Sequence, residues 1–229
     1  MNGRNAEKQE TVILVHGLWM HGVVMALMRR RIAHCGYRAV SYSYPSMRLT
    51  LAENAERLAQ FCRDVCRDGG ASRLHFVGHS LGGPVILRML ERATDLDIGR
   101  IVLAGPPFVG SFAAHRFARL PGGRKALGRS MPEWLESARP SGRERCEIGV
   151  IAGDVSIGLG TLIVPDLPRP SDSVVSVAET RMPGARDHIV LNVSHATMLI
   201  SAAVVEQICA FLRTGAFSRG MTHACSISR

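Results

Sequence analysis

Residues 74–83 read LHFVGHSLGG, an apolar run that leads into a serine with a glycine two positions away on either side. The run before Gly78 has the length of a buried strand, and an apolar helix is expected from about Pro84 to Leu90. A strand, the pattern G-x-S-x-G and a helix together predict a sharp turn that presents Ser80 as a nucleophile. Gly78 and Gly82 would let the strand and the helix pass close to each other.

Short apolar runs alternate with helical patterns along the rest of the chain. Continuous apolar runs of this kind indicate a parallel sheet covered by helices on both faces. One helix should begin at Thr50, which forms a capping box with Glu53, and a last helix should run from about Ser201 to Gly215. The predicted fold class is therefore α/β, a single domain with a mostly parallel six-stranded sheet. Its strands are expected at residues 12–15, 38–44, 74–77, 101–104, 148–152 and 188–193.

Two long connections, residues 105–146 and 153–186, interrupt this alternation. Both follow strand ends at which open parallel sheets bind their ligands. We expect loops and one or two short helices in the first connection, with Pro107 against the substrate and no large cap domain. The domain is predicted to span residues 1–217, followed by a flexible tail at residues 218–229.

Length and composition exclude several classes of protein. A chain of 229 residues, 46% of them hydrophobic, can bury one compact core, and no apolar run is long enough for a membrane span. The first ten residues lack the apolar region of a secretory signal, which predicts a cytoplasmic location. The net charge of +9 comes from scattered arginines without interleaved aromatic residues, so nucleic acid is not an expected partner. Contact with acidic lipid surfaces stays open.

The six cysteines are expected to be free thiols, because a chain of this size does not need disulfides for stability. Cys62 and Cys66 are one helical turn apart, yet no further ligand lies nearby at zinc-site spacing. They are expected to pack in the core, and neither a metal nor a cofactor is predicted.

The first strand ends in a turn that resembles an oxyanion-binding loop. Residues 11–20 read TVILVHGLWM. A tetrahedral intermediate needs two N–H donors, one from the residue after the nucleophile and one from a loop beyond a neighbouring strand. Leu81 supplies the first donor and Leu18 is predicted to supply the second, while His16 is expected to hold the loop. Trp19 is a candidate wall of the acyl pocket, and His79 is a second candidate contact with the substrate.

The general base is predicted to be His195, since it follows the last strand in a short loop before the last helix. The carboxylate that orients it should come from the preceding long connection. Asp172 is favoured because it opens a segment without other charges, and Asp154, directly after a strand, is the main rival. Two further candidates are Asp166 and Asp187.

These motifs resemble the small bacterial esterases and lipases of the α/β-hydrolase superfamily, such as the lipase class 2 type. The resemblance covers VHGLW, GHSLGG, DSVVSV and the SHATML around His195. In that family an Asp in a D-G-V-V type sequence is the triad acid, which favours Asp172, although Ser173 replaces the usual glycine. The resemblance implies hydrolysis of a small acyl ester or lipid through an acyl-enzyme, without a cofactor. Alternatives are an acyltransferase, a thioesterase or an amidase with the same triad, and a catalytically silent binding module.

Overall fold

The predicted parallel sheet is confirmed by a computed structural model that describes residues 10–140 and 145–219. In these residues six strands pair in parallel in the order β2-β1-β3-β4-β5-β6. Residues 220–229 of the predicted tail lie outside the described residues. The strands are β1 (Thr11–Val15), β2 (Arg38–Tyr42), β3 (Leu74–His79), β4 (Ile98–Ala104), β5 (Ile148–Gly153) and β6 (Asp187–Leu191).

Helices cover both faces of this sheet, as predicted. On one face α2 (Leu51–Gly69), α3 (Gly82–Leu90) and α6 (Ser130–Glu136) pack into one apolar cluster. On the other face α1 (Ala26–His34) and α8 (Ala202–Thr214) form a second cluster. Successive residues of β1 point to opposite clusters, because side chains alternate along a strand. The remaining helices are α4 (Phe112–Ala118), α5 (Gly123–Ala126) and α7 (Leu159–Ile163), with short 3₁₀ helices at Gly22–Met25 and Thr197–Leu199.

The caps that the sequence predicted are present. The Thr50 hydroxyl accepts the backbone N–H of Glu53 at 3.1 Å, and the Glu53 carboxylate accepts the N–H of Thr50 at 2.7 Å. A second carboxylate, that of Glu133 on α6, accepts the N–H groups of Leu51 and Ala52. The connection after β4 is therefore attached to the start of α2.

The structure corrects several expectations. β2 ends at Tyr42 and β6 ends at Leu191, each two residues before its predicted end. The connection after β4 contains three short helices, α4 to α6, rather than one or two. β4 begins at Ile98, three residues earlier than predicted, because Gly99 and Arg100 interrupt its apolar pattern. Cys35 and Cys209 are not free thiols but form a disulfide between the end of α1 and α8.

None of the helices in the described ranges is long and apolar enough to cross a bilayer.

The register of the sheet brings four connections together. Val15 pairs with Gly78, His79 with Ala104 and Ala104 with Ile151. The carboxyl ends of β1, β3, β4 and β5 therefore lie side by side, and the loops that follow them meet over the same edge.

Candidate active site

Ser80 lies at the turn between β3 and α3, in the left-handed conformation with φ of 52°. Its backbone N–H donates to the carbonyl oxygen of Ala104 at 2.9 Å, which fixes the turn against β4. The two flanking glycines have no space for a side chain. A Cβ at Gly82 would lie 2.2 Å from the carbonyl oxygen of Val15, and one at Gly78 would lie 2.7 Å from Ile86. This turn therefore requires glycine at both positions.

Backbone strain is concentrated around this turn. Among the described residues other than glycine, positive φ angles occur at Trp19 (60°), Ser80 (52°) and Ser173 (86°). Trp19 follows Leu18 and Ser173 follows Asp172, so each strained residue is a predicted site residue or its neighbour. Strained conformations of this kind cluster at functional sites, where the surrounding structure holds them in place.

Two backbone N–H groups near Ser80 are available to a ligand. Within the described part of the chain, neither Leu18 nor Leu81 donates its N–H to a protein acceptor. By contrast, the N–H of Trp19 donates to the Ser46 hydroxyl at 3.3 Å. The β1 loop lies directly against the turn, since a Cβ at Gly17 would be 3.0 Å from the Cβ of Ser80. This arrangement suits a pair of oxyanion donors.

The side chain of His16 holds the β1 loop in place. Its Nε2 accepts the N–H of Tyr44 at 3.2 Å, so its Nδ1 carries the proton and donates to the carbonyl oxygen of Gly17 at 2.8 Å. The Tyr44 hydroxyl donates back to the His16 carbonyl at 3.0 Å, and the two rings stack with centroids 4.4 Å apart. Burial lowers the pKa of His16, which keeps this ring neutral.

The structure brings Asp172 and His195 into direct contact. Asp172 Oδ2 lies 2.6 Å from His195 Nδ1, and the backbone N–H of His195 donates to the Asp172 carbonyl at 2.8 Å. The other carboxylate oxygen accepts the N–H groups of Val174 and Val175 at 2.9 and 2.7 Å. Burial alone would raise the pKa of Asp172, but the interaction with His195 and these hydrogen bonds hold it below its usual value. The ionised carboxylate fixes the proton of His195 on Nδ1.

The rival acids do not contact His195. Asp154 is exposed, and its carboxylate accepts a hydrogen bond from the Asn192 amide at 3.3 Å. Asp166 forms an ion pair with Arg116 at 3.2 Å. The carboxylate of Asp187 accepts the N–H of Phe217 at 2.9 Å.

Ser80 and His195 are held near each other by contacts of the residues around them, His79 and Gly105. No hydrogen bond links the two side chains within the described residues. In enzymes without substrate this bond is often long or misaligned, and it tightens when substrate binds. A Cβ at Gly105, the residue after β4, would lie 3.0 Å from Asp172 Oδ2 and 3.2 Å from His195 Nδ1. A glycine directly after a strand end is a signal of such a close approach.

His79 does not have the substrate contact that the sequence analysis predicted. Its side chain is fully buried, and its Nε2 donates to the carbonyl oxygen of His195 at 3.0 Å. The two imidazole rings lie 4.7 Å apart, and Nδ1 of His79 has no partner in the described residues. Burial, and to a smaller extent the neighbouring His195, lower the pKa of His79 to about 3. A neutral His79 thus connects the nucleophile turn to the loop of the base.

The other two predicted substrate contacts occupy different environments. Pro107 is buried, and its carbonyl oxygen accepts the indole N–H of Trp134 at 2.7 Å. Trp19 is 53% exposed, and its indole N–H donates to the carbonyl oxygen of Ala126 at 2.7 Å. The Trp19 ring therefore lies beside the predicted oxyanion loop and is about half exposed to solvent.

No cluster of three or more His, Cys, Asp or Glu side chains within the described residues is arranged as a metal site.

Comparison with known proteins identifies the family of this chain. Residues 12–156 match the family model described as the alpha/beta hydrolase family. No curated protein sequence matches the chain at a significant level.

Several solved structures share the fold. The mature lipase BlEst2 of Bacillus licheniformis superimposes with a TM-score of 0.75 at 17% identity, over 91% of this chain and 93% of the lipase. A metagenomic carboxyl esterase gives a TM-score of 0.64 at 20% identity, over 83% of this chain and 65% of the esterase. An esterase of Pyrococcus furiosus gives 0.60 at 16% identity, over 90% and 83% of the two chains. At these identities the likeness concerns the fold.

Proposed function

Because the chain belongs to the alpha/beta hydrolase family, we propose that it is a serine hydrolase that cleaves carboxylic esters through an acyl-enzyme on Ser80. The observation that carries this proposal is the buried contact between Asp172 and His195, which lies against the strained turn of Ser80. The names of the fold neighbours, a lipase and two esterases, support the same reaction class.

In the proposed mechanism His195 carries its proton on Nδ1. Its Nε2 is therefore unprotonated and acts as the base. Nε2 takes the proton of Ser80 as Oγ attacks the carbonyl carbon of the ester. The N–H groups of Leu18 and Leu81 bind the oxyanion that forms. The imidazolium then returns its proton to the departing alcohol, and an acyl group stays on Ser80.

Hydrolysis of the acyl-enzyme repeats these steps with water. His195 takes a proton from water, the hydroxide attacks the acyl carbon, and the acid leaves as Ser80 recovers its proton. Asp172 stays ionised throughout and stabilises the imidazolium. The substrate we propose is a small acyl ester or a lipid.

The proposal is tested by turnover of short-chain nitrophenyl esters. Ser80→Ala should abolish turnover and labelling by a fluorophosphonate while the circular dichroism spectrum stays that of the wild type. Wild-type turnover in the purified variant would refute the proposal.

The acid is tested with a matched pair of substitutions. Asp172→Asn should lower kcat about 10³–10⁴-fold, because the amide stabilises the wrong imidazole tautomer. Asp154→Asn makes the same chemical change at an exposed site and should leave kcat within about threefold of the wild type. A larger loss of kcat in the Asp154→Asn variant would identify Asp154, rather than Asp172, as the carboxylate that orients His195.

A further inference from the structure

Three of the large apolar side chains that are exposed in the described ranges, Trp19, Met47 and Leu120, belong to segments that contact one another. Trp19 lies in the β1 loop, which packs against the turn of Ser80. Scattered exposed apolar residues need no explanation, but a concentration around one site indicates contact with another apolar surface.

The most continuous part of this region is formed by α4, α5 and the two loops packed against them. The Trp19 ring meets Phe117 of α4 edge to face at 5.6 Å, and its indole N–H reaches Ala126 of α5. The N–H of Arg129, shortly after α5, donates to the carbonyl oxygen of Met47 at 3.1 Å. Leu120 joins the two helices. We call this the α4–α5 surface, and its exposed apolar residues are Trp19 (53%), Met47 (38%) and Leu120 (49%).

The same surface is strongly basic. Residues 101–132 contain no Asp or Glu, while five exposed cations lie between residues 116 and 129, within or shortly after α4 and α5. Three of these cations face one carboxylate each, namely Arg116, Arg124 and Arg129. Arg119 and Lys125 form no ion pair with any described residue. The α4–α5 surface therefore has uncompensated positive charge beside exposed apolar side chains.

We propose that the α4–α5 surface docks on an anionic phospholipid bilayer. Its cations match the charge of the headgroups, and Trp19 and Leu120 are placed to enter the interface between headgroups and acyl chains. Nucleic acid would call for several aromatic residues as stacking platforms, whereas Trp19 is the one exposed aromatic residue on this surface.

The docked orientation connects this surface with the active site. Trp19 is adjacent to Leu18, so a bilayer that meets Trp19 also meets the mouth of the oxyanion loop. The docking proposal rests on the proposed function in one respect: an ester in the bilayer would enter the active site directly. Membrane binding itself requires no turnover and is measured separately.

The test uses the whole chain and vesicles of phosphatidylcholine with or without phosphatidylglycerol. The wild type should sediment with the anionic vesicles and remain in solution with the neutral ones. The double substitution Arg119→Gln and Lys125→Gln should weaken binding about 25-fold, because each basic residue near an anionic surface contributes roughly fivefold. Leu120→Ser should weaken it about three- to tenfold, since an apolar side chain is removed from the interface.

A matched control makes the same charge change elsewhere. Arg29→Gln with Arg30→Gln removes two exposed cations of α1, on the other face of the sheet, and should leave vesicle binding within about twofold. Equal losses in both double variants would show a dependence on net charge alone and would overturn the proposal. Binding to single-stranded DNA in place of anionic vesicles would overturn it as well.

Fluorescence gives an independent readout. The chain has two tryptophans, and Trp134 is fully buried, so a blue shift on addition of anionic vesicles reports Trp19. An unshifted spectrum with bound vesicles would place another surface at the membrane and would overturn the proposal. Turnover of a short soluble ester should be unchanged in all these variants. A wild type that turns over the ester but does not bind anionic vesicles refutes the docking proposal alone, and a wild type that binds the vesicles without any turnover refutes the proposed function alone.

Discussion

The Nε2 of His79 lies 3.0 Å from the carbonyl oxygen of His195, the residue that we propose as the base. A carbonyl only accepts hydrogen bonds, so this contact places the His79 proton on Nε2. His79 directly precedes Ser80, and one buried side chain therefore connects the nucleophile and the base through the backbone. We interpret His79 as a positioning residue.

His79→Phe keeps a ring of similar size but removes the donor to His195. We expect kcat to fall about 10- to 100-fold with little change in KM, because small misplacements of a reacting group carry penalties of this size. The measurement is a kinetic profile with a short-chain ester.

His75→Phe is the control for this change. His75 is also a buried histidine of β3, but it accepts the N–H of Arg100 near the opposite end of the strand. Its substitution should reduce stability and leave kcat close to that of the wild type. Equal loss of kcat in both variants would show a general packing effect and would contradict a positioning role for His79.

The buried histidines make stability depend on pH. His79 has an ordinary pKa of 6.5 when unfolded and about 3 in the fold, so only the unfolded chain takes up its proton between these values. Its contribution to stability is fully present above pH 6.5 and is lost as the pH falls toward 3. The pKa values of His16, His75 and His188 are lowered in the same direction, each mainly by burial.

We expect the free energy of unfolding in urea to decrease by about 2 kcal/mol from His79 alone between pH 7 and pH 5. The His79→Phe variant should show a smaller decrease over the same interval. A free energy that rises on acidification, or an equal slope in the variant, would contradict this interpretation.

Ser173 offers a test of backbone strain. Its φ of 86° is unfavourable for a residue with a Cβ, and glycine adopts it without a steric penalty. Ser173→Gly should therefore raise the free energy of unfolding by about 0.5–1 kcal/mol, with the greater flexibility of the unfolded chain opposing part of the gain. Ser173→Ala retains the Cβ and should produce no such increase. Thermal unfolding of the two variants measures the difference, and an equal response in both would contradict the strain argument.

The features of the structure that could be predicted from the sequence depend on patterns among neighbouring residues. The G-x-S-x-G turn, the capping box of Thr50 and the strand runs are each specified by neighbouring residues, and each appears in the structure. The contact between His79 and His195 joins residues 116 positions apart, and no local pattern indicates it. The same holds for the choice between Asp172 and Asp154, since both follow the correct strand and only the folded loop brings one of them to His195.

The connection between β5 and β6 shows a related limit of prediction from the sequence. Ser173 replaces the glycine that is usual in the resembling family, yet the loop still adopts a positive φ. The Asp172 carboxylate accepts two backbone N–H groups in this loop, and these bonds hold Ser173 in the strained conformation. Hydrogen bonds between the Asp172 side chain and the backbone of its own loop thus override the conformational preference of Ser173.

The disulfide between Cys35 and Cys209 joins helices that are far apart in sequence, with a separation of 174 residues. Beside it, the guanidinium of Arg31 on α1 donates to the carbonyl oxygen of Ile200, just before α8. The disulfide closes a loop that includes most of the chain and so restricts the unfolded state. The stabilisation of the fold by a disulfide increases with the length of this loop. Cys35→Ala with Cys209→Ala should therefore lower the free energy of unfolding by about 4 kcal/mol in urea. Cys66→Ala, at a thiol of α2 that forms no disulfide, is the control and should remain within about 1 kcal/mol of the wild type.

Reduction provides the complementary measurement for this bond. A dithiol reductant should destabilise the wild type to the level of the double variant and leave the double variant unchanged. Without reductant, a thiol reagent should count two fewer reactive thiols in the unfolded wild type than the six that it counts after reduction, since Cys35 and Cys209 are paired. A count of six in protein purified under oxidising conditions would show that the bond does not form.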